Sequence, residues 1–123
     1  MRNLYIAIFT SGFLAVLMGA FGSHALNHIL SIEKKLIYET ANKYHFYHTL
    51  ASFMAVFLLQ KWEDKRIQYS IQFFLIGNIF FSGSLYLLSV SGIKIFGAIT
   101  PIGGILYLLA WSLLIHFAWK KIT

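Results

Sequence analysis

Cysteine is absent from this sequence, which excludes disulfides, thiol catalysis and iron–sulfur ligation and leaves the redox compartment unreadable. Proline occurs once, as Pro101, and there are only four acidic residues, one of them an aspartate, Asp64. Charge of either sign is scarce, at 11% of residues, against roughly a quarter in soluble domains. The hydrophobic share is 59% and the aromatic share 18%. A water-soluble chain of this composition has too few polar groups to cover its own surface. Lipid must cover it instead.

The fourteen charged residues fall in short clusters, separating four charge-free stretches: Asn3–Ile32 (30 residues), Tyr44–Gln60 (17), Ile67–Ile93 (27) and Ile95–Trp119 (25). Crossing the hydrocarbon core takes about 20 helical residues, within a range of about 17–25. The stretch from Tyr44 is marginal unless its helix starts earlier and Lys43 snorkels to the headgroups. The pattern predicts an all-α integral membrane four-helix bundle. It forms one domain over residues 1–123, with spans near 4–24, 42–60, 68–90 and 99–119. Arg2, an apolar run and Ser23-His24-Ala25 also resemble a cleavable signal. The apolar core from Leu4 to Gly22 is longer than the 7–15 residues typical of one, so we read it as a retained span.

Four spans place both termini and the middle loop on one side, with Arg2, Lys61, Lys65, Arg66, Lys120 and Lys121. Lys34, Lys35, Lys43 and Lys94 fall on the other, so the excess of positive charge predicts cytoplasmic termini. The formal net charge of +6 suits anionic headgroups better than nucleic acid, because the basic residues form no continuous face.

Ala7, Ser11, Ala15, Gly19 and Ser23 put a small residue at every fourth position of the first span. Such a ladder admits a close second helix, either of this chain or of a neighbouring subunit. Ser31 is an expected N-cap, with Glu33 in the first turn of an amphipathic extension running into the second span. For the last span, Thr100 is the expected cap and Pro101 the first helical residue, where the missing N–H is harmless.

Polar residues inside a membrane are functional candidates. His24, His45, His48, Ser82, Ser84, Tyr86 and Thr100 come from four segments and share the outward half of the expected bundle. His24 and His28 are four apart, and His45 and His48 three apart, so each pair can share a helix face. Zinc, copper or an axially ligated haem are the sharper readings of these histidines. The plainer reading is hydrogen bonding at helix ends to backbone, tyrosines or headgroups. Glu39 is close enough in sequence to pair with His48, Lys35 or Lys43. Asn78 and Ser82, four apart, are expected to tie helices together. Neither Ser82 nor Ser84 lies in a nucleophile-elbow pattern, and no catalytic residue is assigned.

Several runs carry a family resemblance: Gly19-Ala20-Phe21-Gly22-Ser23-His24-Ala25-Leu26, Glu39-Thr40-Ala41, and Tyr44 with Tyr47-His48-Thr49-Leu50-Ala51. Phe81-Ser82-Gly83-Ser84-Leu85-Tyr86 and Ile99-Thr100-Pro101-Ile102-Gly103-Gly104 complete the set. Together they resemble a small bacterial membrane family known as domain of unknown function 423, to which a mitochondrial transmembrane family looks related. The resemblance implies a four-span inner-membrane protein and no established activity, substrate or cofactor. It places His24, Glu39, Tyr44, His48, Ser82, Gly83, Ser84, Tyr86, Thr100, Pro101, Gly103 and Gly104 at motif positions, but not His28 or His45.

Two readings follow. One is an accessory or structural bundle that packs with itself or with a larger membrane complex. The alternative is a module binding or transporting a small molecule, metal or haem. Its outward-facing polar pocket is expected around His24 and His48, with Glu39, Tyr44, Ser82, Ser84, Tyr86 and Thr100. The cofactor, if any, is unassigned.

Overall fold

The structure, a computed structural model, describes residues 1–122; Thr123, the last residue of the expected domain, lies outside them. Four helices follow one another: α1 (Arg2–His24), α2 (Ile32–Trp62), α3 (Lys65–Ser91) and α4 (Ile95–Lys121). Within α3, a π-helical stretch, Asn78–Gly83, joins α-helical Lys65–Gly77 to Ser84–Ser91. Among the described residues there is no strand. The chemistry of lipid dictates this: with no water to hydrogen-bond the backbone, every N–H and C=O must find an internal partner.

The helices run antiparallel in sequence order. Tyr5 meets Gln60 across α1 and α2, Asn42 meets Tyr86 across α2 and α3, and Ser70 meets Ala110 across α3 and α4. Both termini therefore lie at the end that carries the turn between α2 and α3. Local signals mark the joints. Ser31 Oγ accepts the Lys34 N–H at 3.3 Å, as expected, and Asp64 Oδ1 accepts the Arg66 N–H at 2.9 Å. Gly92, at φ +70°, ends α3 in the left-handed conformation that glycine adopts without strain.

Helices α1, α3 and α4 are long and apolar enough to cross a membrane. Helix α2 carries the polar residues, and the other helices shield it: it buries ten residues where α1 buries three. The expected extension is the first part of this one unbroken helix. At the terminal end Ile8, Val56, Leu59, Ile67, Ile71 and Phe117 form an apolar core. Nearer the middle, Ala51, Phe74, Tyr107 and Ala110 form another.

The start of α4 corrects one expectation. Thr100 does not cap it and Pro101 is not its first residue, because the helix already begins at Ile95. Residues 95–100 are apolar or nearly so, and in lipid their backbone groups are best satisfied helically. Pro101 removes one interior N–H, while the Thr100 hydroxyl turns back to the Phe96 carbonyl at 3.2 Å.

Candidate functional site

The site begins with close approach of α1 and α2. Ser11 and Ala15, in the middle of the small-residue ladder, are buried, whereas Ala7 and Ser23 at its ends are exposed. A Cβ on Gly19 would lie 2.9 Å from Asn42 Oδ1, and one on Gly22 would collide with the Tyr38 ring. These glycines seat two α2 side chains so closely that they reach the α1 backbone. Asn42 donates to the Ala15 carbonyl at 2.9 Å, and the Tyr38 hydroxyl donates to that of Met18.

From Asn42 a continuous polar network crosses the bundle. Asn42 Nδ2 donates to the Tyr86 hydroxyl at 2.9 Å, and Tyr86 lies 3.1 Å from His45 Nδ1. His45 Nε2 is 3.2 Å from Ser11 Oγ, which is 2.7 Å from Thr49 Oγ1. Asn78 Nδ2 donates to both hydroxyls, at 3.2 and 3.1 Å, and its Oδ1 accepts from Tyr107 at 2.7 Å. Ser11, His45, Thr49, Asn78, Tyr86 and Tyr107 are all buried. In a low-dielectric interior, partnered groups of this kind fix one packing, because each unpaired alternative is costly.

Beside the network stands an aromatic stack. The His48 ring lies parallel to Tyr107 with centroids 3.6 Å apart, and its Nδ1–H donates to the Tyr44 carbonyl at 2.8 Å. That bond assigns the proton to Nδ1. Tyr44 in turn packs on Phe81. Close by, Ser84 Oγ and Thr100 Oγ1 meet at 2.6 Å and link α3 to α4. The two backbones all but touch there: a Cβ on Gly103 would sit 2.3 Å from Phe81 N.

Helices α1 and α3 do not close against each other. Between them lies a laterally open cavity of about 520 Å³, walled by apolar side chains and floored by Ser11, His45, Asn78 and Tyr86. Its size falls within the roughly 300–1,000 Å³ of small-molecule sites. A smaller polar cleft, lined by residues including Lys35, Glu39 and Asn42, lies between the end of α1 and the start of α2.

The structure thus divides the residues expected to share one pocket. Tyr44 and His48 join the aromatic stack, Ser84 and Thr100 pair, and Tyr86 enters the network. Ser82 is buried without a hydrogen-bond partner. Glu39 is exposed beside the small cleft. His24 is exposed at the end of α1, level with the start of α2 because Gly22 packs on Tyr38. Ten residues from Tyr38 to His48 make about 15 Å of helical rise, so His24 and His48 cannot share one ion or haem. His24 and His28 share no helix face either, because α1 ends at His24. His45 and His48 face different neighbours, Tyr86 and Tyr107. No group of three His, Asp or Glu side chains suited to a metal is found among the described residues. Nothing supports the metal or haem reading.

Asn42 and Tyr107 were not singled out from sequence, Thr49 stood only within a family run, and His45 was read either as a ligand or as a residue hydrogen-bonding at a helix end. A signal was present: Asn42, His45 and Thr49 fall at i, i+3 and i+7, one polar stripe along a single face of α2.

The model of a family described as a protein of unknown function, DUF423, matches residues 18–104. The chain belongs to that family. A Haemophilus influenzae UPF0382 membrane protein is 38% identical over 122 residues, covering 98% of either chain. The Bacillus subtilis UPF0382 membrane protein YwdK is 38% identical over 108 residues, covering 87% of this chain and 88% of its own. The Escherichia coli (strain K12) UPF0382 inner membrane protein YgdD is 32% identical over 117 residues, 94% of this chain and 89% of its own. No solved structure matches the chain. The DUF423 match covers the cleft, the Phe81–Gly103 contact and the network residues Asn42, His45, Thr49, Asn78 and Tyr86, but not Ser11 or Tyr107. The membrane-protein relatives and the apolar helices make the lipid bilayer this protein's environment.

Proposed function

We propose that this DUF423 protein crosses the bilayer four times as one domain and acts there as an accessory or structural bundle. Its partner is a second copy or a larger membrane complex. The observation that carries the reading is how little chain lies between helices: residues 25–31, 63–64 and 92–94 make connections of seven, two and three residues. With so little chain between the helices, recognition falls to membrane-embedded faces. Helix α2, the least apolar of the four, crosses in the shelter of the other three. The cell inner membrane, named for the Escherichia coli relative, is the proposed location. Both termini face the cytoplasm, because the six basic residues at their end outnumber the four at the other.

Native mass measurement of the protein released from nanodiscs tests the assembly. The expected particle is a fixed multiple of the 14.1 kDa chain, or one chain with a membrane protein in constant ratio. A strict monomer at every detergent and lipid condition overturns it.

A further inference from the structure

We propose that the cavity between α1 and α3 is a binding site for an uncharged amphipathic molecule, one with an apolar body and a single carbonyl or hydroxyl oxygen that accepts a hydrogen bond from Tyr86. The inference goes beyond the accessory reading and does not depend on it.

The network itself leaves an opening for such an oxygen. Its polar side chains, Asn42 through Tyr107, carry nine polar hydrogens when His45 is neutral, and they make eight hydrogen bonds. One hydrogen is left over. Ser11 cannot hold it, since its oxygen would then accept from His45, Asn78 and Thr49 with only two lone pairs. It therefore resides at one end of the chain Tyr86–His45–Ser11–Thr49. With the His45 proton on Nε2 the spare hydrogen is that of Thr49. With it on Nδ1, His45 donates to Tyr86 and the Tyr86 hydroxyl hydrogen is free. Tyr86 is 7% exposed and lines the cavity, whereas Thr49 does not. An acceptor oxygen in the cavity selects the second order and leaves no polar hydrogen unpaired.

Gly83 is the second observation. A Cβ there would meet nothing nearer than the Asn78 carbonyl at 3.9 Å, so packing within the chain does not require glycine. Gly83 lines the cavity at the end of the π-helical stretch, and its bare backbone leaves room for an occupant. π-Helical insertions recur at functional sites for this kind of local reshaping. The lining residues also set the ligand's charge: none is Lys, Arg, Asp or Glu, so an ionised headgroup would be buried without a counter-ion. The open flank admits the molecule from the bilayer.

The test uses the full chain in phosphatidylcholine vesicles with two photoactivatable diazirine probes, a long-chain alcohol and the hydrocarbon of equal length. Labelled peptides are mapped by mass spectrometry. The alcohol is expected to mark Leu14 and Ile79 on the cavity walls over Leu108 on the outer surface, and the hydrocarbon to show no such preference. Tyr86→Phe is expected to lower the preference about fivefold, the worth of one hydrogen bond. Gly83→Leu is expected to abolish it by filling open space, and it serves if Tyr86→Phe fails to fold. Even labelling by the alcohol, equal cavity labelling by both probes, or a cavity sealed by another protein overturns the proposal. A strict monomer that still takes the alcohol removes only the assembly reading. An oligomer with no cavity labelling does the reverse.

Discussion

At the scale of single residues, glycines decide how closely these helices meet, and adjacent glycines do different work. Gly103 faces the Phe81 backbone, where a Cβ would lie 2.3 Å from N and 2.6 Å from Cβ. Backbone cannot rotate away as a side chain can, so α3 and α4 must separate to accept it. Next to it, a Cβ on Gly104 meets nothing nearer than Phe81 Cδ2 at 3.9 Å. Gly103→Ala should therefore destabilise the bundle by about 2 kcal/mol, the scale of an overpacked core. Gly104→Ala should stay within about 0.5 kcal/mol of the parent. Thermal unfolding in detergent compares them, and equal effects would refute the close-contact account. The Gly103-Gly104 pair stood out in the sequence, but nothing there told which of the two carries the contact. That depends on which residue of α3 lies opposite.

At the scale of elements, the turn between α2 and α3 carries an ion pair, Asp64 with Arg66. Asp64 takes a side-chain bond from Arg66 Nη2 at 2.7 Å, a second from Nε at 2.9 Å, and caps α3 at the Arg66 N–H. Hydrogen bonds from the Arg66 side chain and backbone hold the Asp64 carboxyl down, to about 2 from an ordinary 3.8. A depressed carboxylate value stabilises the folded form above the unfolded value. The contribution fades as pH falls from 3.8 through about 2. Carbon-13 NMR of the Asp64 carboxyl should give a midpoint near 2 in the parent and a higher one in Arg66→Met, still below 3.8 because the residue 66 N–H remains. An unshifted parent would show the pair to be open in solution.

Helix α2 shows how far element-scale reading reaches. Its Ser31 cap and early start were legible because a short-range bond and a helical period write themselves into neighbouring residues. The beginning of α4 was not legible: Thr100-Pro101 is a sound local start signal. The demand that lipid-embedded backbone be satisfied over residues 95–100 overrode it.

At the scale of the whole molecule, the antiparallel order places residues 2 and 120 at one end and residue 94 at the other. The absence of native cysteine makes the side of each measurable. In intact spheroplasts, Lys94→Cys should react with a membrane-impermeant maleimide, and Lys120→Cys only after permeabilisation. The opposite pattern would reverse the proposed orientation. An even pattern would contradict four crossings.

Composition alone determined that lipid is the solvent and that the fold is helical, because burial in hydrocarbon acts on every residue of a long run at once. The ladder on α1 and the polar stripe on α2 were likewise present in the residue order. The partners of each polar group emerged only from assembly: His45 with Tyr86 and Ser11 instead of His48, and His24 left outside. Hydrogen bonds between helices depend on the rotation and depth at which two helices meet. Side-chain volumes far apart in the chain, at Gly19, Gly22 and Gly103, set those quantities together.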